Sequence, residues 1–156
     1  MLQRKKRKLF LCIALLCVNL AFIWGNSLLP GEISGALSNW LKDLLAPLFG
    51  SKPGASGGGG LLRKLAHFTE FTCLGLCLCW LIRMLREKNW EHWLLPLSGG
   101  FLAACIDETI QIFVPLRGPA IKDVGIDTAG VILGVVIINI CQHFKNQKTF
   151  IGGNKL

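Results

Sequence analysis

Residues 124–141 read VGIDTAGVILGVVIINIC. The run is apolar at almost every position and carries a single ionisable side chain, Asp127. About 20 residues at 1.5 Å each cross the roughly 30 Å hydrocarbon core of a bilayer, so this stretch predicts most of a membrane-spanning helix. Gly130 and Gly134, four residues apart, let a neighbouring helix come close. A lone acid in such a segment calls for partners on other helices, because a charge at the centre of a span costs about 2.5–3.5 kcal/mol on insertion scales.

Three further apolar blocks supply candidates for those helices, at 9–24, 65–82 and 94–114. The first is short and reaches spanning length only with residues 26–29. The expectation is an all-α membrane protein: a bundle of four transmembrane helices, with spans at about 9–29, 63–83, 94–114 and 123–142. A composition of 52% hydrophobic residues and a mean hydropathy of +0.51 leave little chain for a soluble domain.

The formal charge of +8 does not point to nucleic acid, because of where the cations lie. Arg4, Lys5, Lys6, Arg7 and Lys8 abut the first block; Arg83, Arg86 and Lys88 follow the second; Lys145, Lys148 and Lys155 follow the fourth. The positive-inside rule then predicts a basic cytoplasmic N-terminus (1–8), a cytoplasmic tail (144–156) and a cytoplasmic connection between spans two and three. A basic run before an apolar one also resembles a secretory signal, with Gly25 and Ser27 as a weak cleavage site; a retained anchor is the favoured reading. The seven cysteines all fall in apolar blocks, as small hydrophobes do, and imply neither a disulfide framework nor a metal-ligand set.

Between spans one and two, residues 26–32 (NSLLPGE) form a turn-prone stretch. Ile33, Leu37, Trp40, Leu41, Leu44 and Leu48 then recur at helical spacing, predicting an amphipathic helix over about 33–48 that lies in the outer interface. Residues 51–60 (SKPGASGGGG) have the composition of a flexible linker and lack the ending of a phosphate-binding loop.

Polar residues cluster near one end of the predicted spans. Span two opens with Arg63, Lys64, His67 and Glu70 on or beside one helical face. Span three ends with Asp107, Glu108 and Gln111, the loop carries Arg117, and span four begins with Asp123 and Asp127. Counting 1.5 Å per residue from the helix ends places Glu70 and Glu108 roughly 10 Å deep and His67 and Gln111 at about 6 Å. Asp127 falls at a depth similar to the second pair. Carboxylates at one level in a poor dielectric require a shared proton or a neighbouring cation.

Two chemistries fit these groups. In one, Glu70 or Glu108 is a general acid and His67 a base or hydrogen-bond partner. In the other, Arg63, Lys64, Gln111, Arg117, Asp123 and Asp127 bind a polar head, with Lys64 and Arg117 gripping its anionic group. A network that only orients the helices is the plainer alternative. His92 and His143 fall on the other side, so only His67 is available to a metal; no metal and no cofactor are expected. No Ser-His-Asp arrangement with nucleophile-elbow glycines is present, which speaks against an ordinary hydrolase.

Four segments, in order, carry a resemblance. They are NSLLPGE (26–32); Arg63-Lys64-x-x-His67-Phe68-x-Glu70-Phe71; Asp107-Glu108-x-x-Gln111-x-Phe113-Val114-Pro115-x-Arg117; and Asp123 to Asp127 with Gly130 and Gly134. Together they resemble the VanZ-like membrane family from about Trp24 to Gly134, omitting the Gly-rich linker, which implies a VanZ-like transmembrane domain over 9–143. Leu116 stands where the family often has Gly, and Asp127 where it often has Asn. The family takes its name from a protein associated with resistance to teicoplanin, a lipid-tailed glycopeptide. The resemblance implies a multi-pass protein of the bacterial cytoplasmic membrane. Its partners would be membrane lipids and a lipid-linked envelope precursor or glycopeptide. Recognition of such an amphiphile is the leading expectation, ahead of a hydrolase or transferase acting on it and of a structural subunit of a membrane complex.

Overall fold

The computed structural model describes residues 2–49, 59–86, 88–118 and 120–153, and all of the regular structure among them is helical. Five α-helices follow one another: α1 (Leu2–Ser27), α2 (Gly31–Leu45), α3 (Gly59–Leu85), α4 (Glu91–Ile112) and α5 (Ile121–Gly153). A short 3-10 turn, Ala46–Phe49, follows α2. The basic run at 4–8 forms the first turns of α1, continuous with its apolar part. Most of the expected linker, 51–58, lies outside the described residues, while Gly59 and Gly60 already belong to α3. The tail beginning at 144 continues α5 as helix through Gly153.

α1, α3 and α5 are each long and apolar enough to cross a membrane. α4, at 22 residues, spans about 33 Å and so has the length. Its inner side buries His92, Pro96, Gly100, Asp107, Glu108 and Gln111 together with Ala103 and Ala104. Its other side exposes Leu94, Phe101 and Leu102. Over its last turns, from Asp107 to Gln111, α4 is therefore polar inside and apolar outside, the reverse of a water-soluble helix.

The apolar core joins Ile23 of α1, Phe71 and Leu74 of α3, Ala103 and Ala104 of α4, and Val131 and Val135 of α5. Phe10, Val18 and Phe22 of α1 point outward and are exposed. On α2, which rests against α3, Ile33, Leu37, Trp40 and Leu44 form an exposed stripe at helical spacing while Ser34 is buried.

α3 and α5 meet backbone to backbone. A Cβ at Gly130 would run into the Phe68 carbonyl, one at Gly134 into that of Thr72, and one at Gly75 into that of Val131. Hydroxyls in these helices are returned to their own backbone, Thr72 to Phe68 O at 2.7 Å and Thr128 to Val124 O at 2.7 Å.

The loops at one end of the bundle are tied together. Gly31 N–H donates to Pro115 O at 3.0 Å, and a Cβ on Gly31 would strike the Leu116 carbonyl. Leu116 itself has φ 57°, a left-handed conformation that costs an L residue about 1–2 kcal/mol. That is the physical reason glycine suits this place in similar sequences. Leu116 is also 72% exposed, so its side chain contributes little packing. Leu116→Gly should raise stability by up to about 1 kcal/mol, the relief of strain being partly offset by glycine's freedom in the unfolded chain. Thermal melting in detergent checks this, and a lower Tm would show that the exposed side chain anchors the loop.

Candidate functional site

The N-terminal turns of α3 and α5 and the C-terminal turns of α1 and α4 share one end of the bundle. His67 lies eight residues into α3, Asp127 six into α5, and Asp107 five before the end of α4. These positions correspond to depths of roughly 8–12 Å along the helices. A cleft of about 260 Å³, counted with its open mouth, lies between them. Arg63, Lys64 and His67 line it from α3, Glu108 and Gln111 from α4, and Asp123, Ile126 and Asp127 from α5. Every nominated residue except Glu70 and Arg117 thus faces one space.

At the mouth, Lys64 Nζ and Asp123 Oδ1 form an ion pair at 3.3 Å with both side chains partly open to the surroundings. Arg63 is half-buried beside them. Deeper, His67 Nδ1 lies 3.8 Å from Asp107 Oδ2, with the imidazole 9% exposed and the carboxylate fully buried. Gln111 sits at the centre. Its Nε2 donates to Asp107 Oδ2 at 3.0 Å, to Ser27 Oγ at 3.3 Å and, at the long limit, to Glu108 Oε1 at 3.4 Å. The other Glu108 oxygen accepts the Ala120 N–H at 2.9 Å, which fixes the start of α5 against the end of α4.

The two remaining nominated residues do other things. Glu70 is held from α1: Asn26 Nδ2 donates to its Oε1 at 3.1 Å, and its Oε2 is buried without a hydrogen bond among the described residues. Arg117 turns to the end of α1, where its Nε donates to Leu29 O at 2.9 Å and its Nη2 to Asn26 O at 2.6 Å. A cation on the unpaired carbonyls of a helix C-terminus satisfies both their hydrogen bonding and the helix dipole. Burial lowers the guanidinium pKa, with Arg63 adding to the effect and Asp107, Glu108 and Glu70 opposing it. Arginine nonetheless stays charged at neutral pH.

Three contributors were not nominated from the sequence. Asp107 is the most buried acid of the site, and Asn26 and Ser27 reach into it from the last turn of α1. Asp107 had a signal: it lies four residues before Gln111, as Glu108 lies three before it, and both spacings bring side chains together on a helix. Asn26 and Ser27 sit in a stretch whose composition suggests a turn, so their inward orientation had none.

Comparison with curated proteins and with solved structures finds no match. The sequence pattern of one family, described as VanZ/LLP1, matches residues 9–142, which take in α2, α3 and α4, most of α1 and α5, and every residue of the cleft. The chain belongs to the VanZ/LLP1 family.

Proposed function

We propose that this protein recognises the anionic head of an amphiphile from the outer leaflet, an envelope lipid or a lipid-tailed glycopeptide. The observation that carries the reading is the cation-rimmed cleft at the α3 and α5 N-termini, with Arg63 and Lys64 at its edge. Helix N-termini present unpaired N–H groups and a favourable dipole to an anion, and the two cations add charge. The free space inside the cleft is about 10 Å³, room for about one water. The head would therefore sit at the mouth, while the tail lies in lipid beside the apolar outer faces.

In this reading α4 is a fourth crossing, since it lies against both α3 and α5 and exposes apolar side chains outward. α2 lies in the interface on its exposed apolar stripe. The basic residues at 4–8 and after α3 and α5 support a cytoplasmic side for both termini, in which case the cleft faces outward. A role in teicoplanin resistance or envelope homeostasis would follow from such recognition.

One observation favours a second reading, an enzyme acting on a lipid-linked envelope substrate. The buried His67–Asp107 pair has the form of a base held by a carboxylate, with Glu108 as a nearby acid.

The test is mass spectrometry of the full chain purified with native lipid and incubated with envelope lipids or teicoplanin. Lys64→Ala should weaken retention of the anionic ligand roughly 10-fold or more, the usual worth of a charged hydrogen bond. An unaltered ligand kept by the wild type and lost from Lys64→Ala and Glu108→Gln supports recognition. A product formed by the wild type and absent with Glu108→Gln makes the protein an enzyme. No ligand and no product would leave the polar cluster an orienting network.

A further inference from the structure

The floor of the cleft has a chemistry that headgroup recognition at the mouth does not use. His67 of α3, Asp107 of α4 and Asp127 of α5 each offer one donor atom, and the three atoms lie within 4.8 Å of one another. Their residues are 7%, 0% and 1% exposed. Both carboxylate oxygens of Asp127, and Oδ1 of Asp107, accept no hydrogen bond among the described residues. Buried acceptors are nearly always paired, so three together in one small space require an account. Of the cations nearby, Lys64 faces Asp123 and two Arg117 nitrogens hold Leu29 O and Asn26 O, while Arg63 lines the cleft and Arg117 Nη1 has no hydrogen-bond partner among the described residues.

We propose that His67, Asp107 and Asp127 hold a divalent cation of the Mn²⁺ or Zn²⁺ kind. One imidazole and two carboxylates form a donor set that suits these ions, whereas Mg²⁺ and Ca²⁺ prefer oxygen alone. Tetrahedral ligands about 2.1 Å from an ion are about 3.4 Å apart, so a 4.8 Å spread closes by up to about 1.4 Å, within the reach of side-chain rotation. Gln111 donates to Oδ2 of Asp107 and leaves Oδ1 unengaged, which is how an outer hydrogen bond orients a ligating carboxylate. Three protein ligands leave further coordination positions open, and two of the three, His67 and Asp127, line the cleft. The sequence reading expected no metal because it counted histidines; the second and third ligands are aspartates that only the fold brings to His67.

Asp127 is the residue that separates this site from a merely polar floor. Asn at this position would keep the shape and remove one of the two ligand charges. The inference does not depend on which amphiphile, if any, is recognised at the mouth.

Mn²⁺ is the probe, because it avoids the thiolates that would bind Zn²⁺ elsewhere in a chain with seven cysteines. The full chain in detergent is freed of metal with a chelator, dialysed and titrated with Mn²⁺, with electron paramagnetic resonance reading the free ion. The wild type should take up about one Mn²⁺ per chain and release it to Zn²⁺. Asp127→Asn should bind roughly 100-fold more weakly, at or beyond the loss seen for outer-shell changes. His67→Gln provides the same test should Asp127→Asn not elute as folded protein. Absence of bound Mn²⁺ in the wild type overturns the proposal in favour of protonated, neutral acids. Wild-type affinity in both variants overturns it equally. Headgroup retention without Mn²⁺ uptake would leave the recognition reading standing while this one falls.

Discussion

Gly134→Leu is expected to leave little folded protein. A Cβ built on Gly134 meets the Thr72 carbonyl and then Leu76 N at 2.7 Å and Gly75 C at 3.0 Å, all backbone atoms of α3. Side chains can rotate away from an intruding methyl, but a helix backbone moves only as a body. Overpacking costs about 1–3 kcal/mol where neighbours can adjust, and more where they cannot. Gly134→Ala should fall within that range and Gly134→Leu at about 3 kcal/mol or above. Gly125→Ala is the control, since nothing lies within 4 Å of its added methyl. It should melt at or above the wild-type temperature, as Gly→Ala in a helix contributes roughly 0.5–1 kcal/mol. Monodisperse yield and thermal melting in detergent decide the matter; a Gly134→Leu variant that melts with the wild type would mean that α3 and α5 do not touch there. The contact also bears on the site. α3 carries His67 and α5 carries Asp127, so forcing these helices apart separates the cleft walls as well as the core.

The sequence makes the helices legible because a bilayer punishes exceptions. Backbone groups in lipid must be satisfied within the segment, so a long apolar run can only be a helix or a barrel strand, and 18 residues decide for helix. The same penalty exposes the site: ionisable residues in such runs are few, and those of α3, α4 and α5 counted from the helix ends fall at similar depths. The folded chain gathers Arg63, Lys64, His67, Glu108, Gln111, Asp123 and Asp127 around one cleft.

What stayed hidden was orientation. Asp107 and Glu108 are adjacent on a helix and diverge by about 100°, yet Gln111 reaches both. Spacing alone offered either, and only the position of α3 shows that the first faces His67. Glu70 lies on the same face as His67 by the three-residue rule, but the end of α1 approaches there, and Asn26 takes it out of the cleft. The inner face of α4 is likewise shared, Asp107, Glu108 and Gln111 serving the site and Ala103 and Ala104 the core. Pattern reading measures how apolar a helix is overall, and α4 divides that quantity between two unlike faces.

Arg117→Ala is expected to destabilise the protein more than it weakens any ligand. From sequence, an arginine in an outer loop beside a polar cluster reads as a grip for an anion. In the folded chain its Nε and Nη2 are engaged with Leu29 O and Asn26 O, and the residue is 8% exposed. A hydrogen bond with a charged partner contributes about 1.5–3 kcal/mol, so losing two costs about 3 kcal/mol or more. It also removes a donor from Leu29 O and leaves Asn26 O, among the described residues, with the Leu29 N–H alone. Asn26 has a second task, holding Glu70 through its side chain, so a loosened α1 end would disturb both residues. Arg117→Lys separates charge from shape: an ammonium keeps the charge but lacks the planar fork that reaches two carbonyls at once, and should recover only part of the loss. The decisive comparison is Tm against retention of the anionic ligand in the same preparations. A lowered Tm with affinity near wild type at low temperature assigns Arg117 to the joint between α1 and the α4–α5 loop. An unchanged Tm with lost affinity would instead return it to the grip, and would require its hydrogen bonds to α1 to be dispensable.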